Sequence, residues 1–283
     1  MSLPAEVHAL IAAALAEDVG PGDVTTLWTV PPDRRGEARI VAKAPGVIAG
    51  MPVALAVMAA VDASLEVEVL ARDGDAVRPG DEVLRVGGAA ASILTAERTA
   101  LNFLQRLSGV ATVTRGYVDA VAGTGTRILD TRKTTPGMRW LEKEAVRAGG
   151  GVNHRFGLHD MVLIKENHVA AAGGITAAVE AVRARNERGL RVEVETTTPE
   201  EVEEALAVGV DRIMFDNMPV PRMARMVERV RAGGERRPET EASGGITLET
   251  IRAVAETGVD FISVGALTHS APALDLSLLL RSA

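Results

Sequence analysis

The sequence predicts an α/β protein, with an α+β region first and an incomplete parallel barrel after it. Three observations carry this. After Gly125, short β-rich runs alternate with helical runs, the rhythm of strand–helix units on a parallel sheet. The stretch from Arg127 to Ala266 is well short of the ~200 residues that a complete eight-unit barrel usually needs. The barrel is therefore short of units or open on one side. Before Gly125 the pattern alternates irregularly between helix, strand and turn.

Residues 3–17 read as an amphipathic helix stopped by Gly20-Pro21-Gly22. Glu37 to Ala49 reads as two short strands around Ala44-Pro45-Gly46. Pro52 to Val61 reads as a helix, with proline at its start, where the missing N–H costs little. Leu65 to Leu70 alternates apolar and acidic residues, as a half-buried strand does. Arg72-Asp73-Gly74-Asp75 and Arg78-Pro79-Gly80-Asp81 are turns. Ser92 to about Val121 is helical, with a break expected at Ser108-Gly109. In the second part the strands fall at Arg127–Leu129, Met161–Ile164, Arg191–Val194, Asp211–Phe215, Glu239–Ala242 and Phe261–Val264. Helices fall at Ile175–Arg188, Pro199–Val208, Val220–Ala232 and Leu248–Thr257.

Composition narrows the chemistry. The 283 residues include no cysteine, which excludes disulfides, thiolate metal sites and cysteine nucleophiles. Aromatics make up 2%, so the core is aliphatic. The net charge of −7 argues against nucleic-acid or anionic-membrane partners. No segment reads as a targeting leader or a membrane span, and the expected location is cytoplasmic.

In a parallel barrel the active site gathers where the strands end. The strand candidates run into Asp130-Thr131-Arg132-Lys133, Lys165-Glu166-Asn167-His168, Glu195, Asp216-Asn217, Ser243-Gly244-Gly245 and Gly265. Only Lys43, Lys133, Lys143 and Lys165 are lysines, and two of the four lie at strand ends. Arg132, Lys133, His154, Arg155 and Lys165 in one mouth repel one another unless anions fill it. The competing reading pairs these bases with surface acids such as Glu142 and Glu144. The glycines after the last two strands allow backbone N–H groups to approach a phosphate, with a helix N-terminus following; ordinary turns are the alternative. Glu195 and Asp216 suit Mg²⁺, held directly or through water, sugar hydroxyls or developing cationic charge; structural pairing with Arg132 or Lys165 is the alternative. Glu193 is expected on the opposite face of its strand. No Gly-x-x-x-x-Gly-Lys-Ser/Thr, Gly-x-Gly-x-x-Gly, His-Glu-x-x-His or Gly-x-Ser-x-Gly motif occurs in a position to compete.

Glu97-Arg98-Thr99-Ala100-Leu101-Asn102, Asp130-Thr131-Arg132-Lys133-Thr134-Thr135-Pro136-Gly137, Asn153-His154-Arg155 and Ile164-Lys165-Glu166-Asn167-His168 resemble the quinolinate phosphoribosyltransferase family. The resemblance runs from about Gly20 to the C-terminus. It implies an N-terminal α/β-sandwich domain over 1–110, with 270–283 returning to it, and an open, seven-stranded α/β barrel over 111–269. It implies a reaction: quinolinate and phosphoribosyl pyrophosphate give nicotinate mononucleotide, pyrophosphate and CO₂, with Mg²⁺ on the donor, in NAD biosynthesis. By resemblance, Arg132, His154, Arg155 and Lys165 surround the quinolinate carboxylates, with Lys133 between them and the donor. Glu195 and Asp216 face ribose and Mg²⁺, while Thr131 joins the substrate-binding set. Ser243, Gly244, Gly245, Val264, Gly265 and Ala266 bind phosphate. Lys133, Lys165, Glu195 and Asp216 are the catalytic candidates. Arg98 reaches the neighbouring subunit's site in a homodimer. The rival readings are a Schiff-base lyase using Lys165, a relative acting on nicotinate or another base, and a non-catalytic sensor of phosphoribosyl pyrophosphate.

Overall fold

The computed structural model describes residues 3–282. The chain opens with α1 (Ala5–Val19), α2 (Val24–Thr29), β1 (Arg35–Ala42), β2 (Gly46–Val47) and α3 (Met51–Val61). Then come β3 (Glu66–Val69), β4 (Ala76–Val77), β5 (Glu82–Ala89) and the long helix α4 (Ala90–Ala120). After β6 (Arg127–Leu129) and α5 (Arg139–Ala148) follow β7 (Val162–Ile164), α6 (Glu166–Ala172), α7 (Ile175–Arg183) and β8 (Val192–Thr196). The chain continues through α8 (Pro199–Val208), β9 (Arg212–Asp216), α9 (Val220–Arg231), β10 (Glu239–Ser243), α10 (Ile251–Ala255), β11 (Phe261–Ser263), α11 (Ala266–His269) and β12 (Leu276–Ser282).

Two compact units emerge: Met1–Arg115 with Thr134–Gly150 and Leu267–Ala283, and Gly116–Lys133 with Gly151–Ala266. The first unit carries an antiparallel sheet in the order β12-β1-β5-β3, plus the small pair β2-β4. Ile40 and Leu84 on that sheet, and Ile93, Leu101, Leu104 and Leu107 on α4, are fully buried. The sequence reading assigned no strand to β5. Gly87-Gly88 looks like a turn, yet pairing with Glu37 and Gly36 of β1 carries the chain straight through it.

Two further expectations change here. α4 does not break at Ser108-Gly109. Ser108 Oγ accepts the Ala49 N–H at 3.0 Å and donates to the Ala49 carbonyl. A Cβ on Gly109 would sit 1.9 Å from the Pro272 carbonyl oxygen. The pair therefore marks where other backbone approaches the helix closely, which a missing side chain permits. Residues 134–150, expected in the barrel, lie in the first unit. The reason is Glu142, which is fully buried. It accepts hydrogen bonds from Arg106 at 2.8 Å and from the Thr135 amide and hydroxyl at 3.0 and 2.8 Å. Glu142 is thus not a surface partner for the basic cluster.

The second unit is built on a parallel sheet in the order β6-β11-β10-β9-β8-β7. Its core side chains, among them Ile128, Val194, Ile213, Phe215 and Ile262, are apolar and buried. The seventh strand expected for the barrel is reduced to a one-residue parallel bridge between Val152 and Leu129. Going round, the order is Val152, β6, β11, β10, β9, β8, β7. Among the described residues no ladder joins β7 back to Val152. The barrel is open there, between Val152 and β7.

Candidate active site

All strands of the parallel sheet end at one edge, because parallel strands point the same way. Thr131, Arg132 and Lys133 follow β6; His154 and Arg155 follow Val152; Lys165 follows β7. Glu195 lies near the end of β8, Asp216 ends β9, Ser243 ends β10, and Gly244 and Gly245 follow it. Val264, Gly265 and Ala266 follow β11. Every barrel residue singled out from the sequence thus occupies this edge. Arg98 lies on α4 in the first unit and is exposed.

Lys165 and Glu195 form an ion pair across neighbouring strands. This is the structural pairing that the sequence left open as an alternative role for Glu195. Lys165 also begins α6, where its N–H donates to His168 Nδ1 at 3.0 Å. His168 is therefore occupied at the helix start. Asp216 accepts from the Asn217 side chain at 2.8 Å. Asn217 holds a left-handed backbone, φ 50°. Its side chain fills the space beside Gly244, where a Cβ would come within 2.3 Å of Asn217 Oδ1. The expected helix after Gly245 begins only at Ile251, and α11 is one turn long. Phosphate binding here would rest on loop N–H groups rather than on a long helix N-terminus.

Arg155 reaches across the barrel opening, where Nη1 donates to the Met161 carbonyl at 3.3 Å. Its Nε is buried without a hydrogen-bond partner. Burial, and then the charge of Arg132 nearby, pull its pKa below the ordinary arginine value.

One step below the edge lies a buried charged layer. Glu193 and Glu241 have no exposed surface, and Arg212 is 7% exposed. Here the structure corrects a sequence reading. Side chains two apart on a strand share a face, so Glu193 lies on the same side of β8 as Glu195. It bonds His154 Nε2 at 3.0 Å, with Glu241 3.5 Å from the same nitrogen. Arg212 donates to Glu241 at 3.0 Å and to Glu239 at 2.9 Å. His154 Nδ1 accepts the Arg155 backbone N–H at 2.7 Å, and Asp130 accepts the His154 N–H at 2.8 Å. Burial opposes charge on the ring, but the hydrogen bonds from Glu193 and Glu241 outweigh it and raise its pKa to about 9. Burial and the neighbouring Glu241 push Glu193 upward too. Ring and carboxylate thus compete for one proton. An amide N–H can only donate, so in this geometry Nδ1 offers its lone pair and the shared proton lies on the Glu193 side.

Glu193, Glu241 and Arg212 are the residues sequence reasoning missed. A signal existed: Glu193 stands two positions before Glu195, and Glu241 two before Ser243, so each shares its strand face with a residue at the edge.

His154, Glu193 and Glu241 form the group among the described residues whose donor atoms lie within 4.8 Å of one another. With Arg212 already on Glu241, that group does not suit a cation. Glu195 and Asp216 are better candidates for Mg²⁺. Both are partly accessible carboxylates on adjacent strands, and Mg²⁺ is commonly held by one or two carboxylates plus substrate phosphates.

Residues 23–108 match the N-terminal domain and residues 110–279 the C-terminal domain of quinolinate phosphoribosyl transferase. The chain is 49% identical over 264 residues to a probable nicotinate-nucleotide pyrophosphorylase (carboxylating) of Synechocystis, covering 93% of this chain and 89% of that one. It is 44% identical over 262 residues to the corresponding Bacillus subtilis protein, with the same coverage. Among solved structures it resembles the nicotinate-nucleotide pyrophosphorylase of Francisella tularensis, with a TM-score of 0.93, 40% identity, and 99% and 98% of the two chains covered.

Proposed function

The chain belongs to the quinolinate phosphoribosyltransferase family, and we propose that the C-terminal edge of its parallel sheet carries that reaction. It joins quinolinate to the phosphoribosyl group of phosphoribosyl pyrophosphate with loss of CO₂, in NAD biosynthesis. The observation that carries the reading is the ring of Arg132, Lys133, Arg155 and Lys165 at one sheet edge of a chain with net charge −7. Such a ring calls for a ligand with several negative charges.

The pyridine nitrogen attacks the anomeric carbon; the C–N bond forms as the bond to pyrophosphate breaks. The C2–carboxylate bond then breaks and CO₂ leaves. Its electron pair stays on C2, stabilised by the quaternised nitrogen, until C2 takes up a proton. No protein nucleophile is required, so the residues act by positioning and charge. Lys165, engaged by Glu195, suits carboxylate recognition better than Schiff-base chemistry. Arg132 and Arg155 take the other quinolinate carboxylate, and Lys133 lies toward the donor. Glu195 and Asp216 face the ribose and, when Mg²⁺ is present, contribute oxygens to the ion that neutralises the leaving pyrophosphate. Thr131, Ser243, Gly244, Gly245, Val264, Gly265 and Ala266 line the phosphate positions. His154 belongs to this set through the segment it holds.

The reading includes a homodimer in which Arg98 serves the partner's site, and a cytoplasmic setting. No helix of the described residues is long and apolar enough to cross a membrane. Release of labelled CO₂ from quinolinate, dependent on phosphoribosyl pyrophosphate and Mg²⁺, tests the activity; comparable turnover of nicotinate would sink it. Mixing Arg98→Ala with Lys165→Ala tests the dimer. Each alone is inactive, and free exchange restores roughly a quarter of wild-type activity, since half the dimers are mixed and each carries one intact site. Verified mixed dimers without activity would remove Arg98 from the shared site.

A further inference from the structure

The barrel opening poses a mechanical problem. Between Val152 and β7 no backbone ladder fixes the chain among the described residues, yet this segment carries Arg155. Elsewhere on the sheet, functional residues stand at the ends of paired strands. Something other than strand pairing must hold Asn153–Arg155.

The interactions that do so are on the page. The His154 ring turns into the barrel, where its side chain is 6% exposed. Nε2 meets Glu193 of β8 and, farther off, Glu241 of β10. Nδ1 receives the Arg155 amide. Both ring nitrogens thus have partners inside the protein. Arg212, between the two acids on β9, holds Glu241 in turn. A bond from the inner strands therefore runs through the ring to the backbone of Arg155.

We propose that Glu193, supported by Glu241 and Arg212, is a positioning residue: it replaces the missing ladder at the barrel opening by locking the His154 ring, which sets Arg155 for carboxylate recognition. His154 then acts through Arg155 and does not itself touch the substrate. This rests on the quinolinate reading above and deepens it.

The test compares Glu193→Ala with Glu193→Gln, because glutamine keeps an oxygen that accepts from Nε2. Glu193→Ala raises the quinolinate KM about tenfold or more while the phosphoribosyl pyrophosphate KM stays within about twofold. Glu193→Gln keeps the quinolinate KM within about threefold of wild type. In an Arg155→Ala background, Glu193→Ala adds less than about twofold, as expected of two residues acting as one unit. Long-range ¹H–¹⁵N spectra of histidine-labelled protein, assigned by loss of signals in His154→Gln, show Nδ1 unprotonated in wild type and Glu193→Gln, and a changed ring in Glu193→Ala. Equal losses for both substrates, additive losses in the double variant, or a ring indifferent to Glu193→Ala would overturn the proposal. Where Glu193→Ala does not fold, His154→Phe substitutes for it: it keeps the ring volume, removes both nitrogens, and must show the same quinolinate-selective loss. If the wild-type preparation releases no CO₂ from quinolinate, the functional reading fails, and the spectra still decide the positioning role.

Discussion

Glu193 and Glu195 stand one step apart on the same face of β8, and each holds a base. Glu195 holds Lys165 where the side chains are 14% and 46% exposed; Glu193 holds His154 where they are 1% and 6% exposed. The first pair can exchange partners with an incoming anion, since water screens both states. The second cannot, because separating it would leave a charge or a donor buried without a partner. Depth along one strand, about two residues, divides recognition from support. The same residue types serve both purposes, so residue type alone does not assign the role.

This contrast can be broken at the buried level first. Glu241→Ala leaves the Arg212 guanidinium with a missing partner inside the barrel and should cost about 3–5 kcal/mol of stability. Denaturant unfolding followed by circular dichroism measures this; an unchanged midpoint would mean that the layer is not the support described here.

At the edge the expectation reverses. Lys165→Ala should weaken quinolinate binding roughly 10–150-fold, the equivalent of one charge-assisted hydrogen bond of about 1.5–3 kcal/mol. Its thermal midpoint should barely move, because an exposed ion pair contributes little to stability. Calorimetric titration beside a melting curve separates the two. A large loss of stability with unchanged affinity would place Lys165 with the structural pairs.

The smallest effect is the pH dependence of stability. The His154 ring is raised to about 9, against about 6.5 for an exposed histidine. Between these values the folded chain binds more protons than the unfolded one. The contribution is therefore fully present below about pH 6.5 and is lost as the pH rises through about 9. His154→Gln should flatten that decline in melts across this window; an unaltered slope would mean that the ring does not take part in it.

Much of the frame was legible in order along the chain. The six strands of the parallel sheet follow the apolar runs between polar or glycine ends, and Pro199–Val208 was read to the residue because proline and Thr198 mark its start. Other elements escaped. α5 was not read because its buried face includes Glu142 and Lys143, charges that a periodicity argument assigns to solvent. α6 was not read because Lys165-Glu166-Asn167-His168 looks like a catalytic loop and also starts a helix. The break expected at Ser108-Gly109 failed because a serine–glycine pair signals a turn locally, while here it admits another stretch of backbone.

The sequence by itself determined the strand–helix rhythm, the shortage of barrel units, and which basic and acidic residues stand at strand ends. These are local properties: alternation, glycine placement and spacing act within a few residues. Only the tertiary structure decided that the seventh strand shrinks to Val152, that Lys165 meets Glu195, and that Glu193, Arg212 and Glu241 from three strands meet around His154. Those meetings depend on which strands become neighbours and how deep each side chain lies. A charge in the interior persists only where its partners converge from distant parts of the chain, and that convergence is a property of the folded sheet.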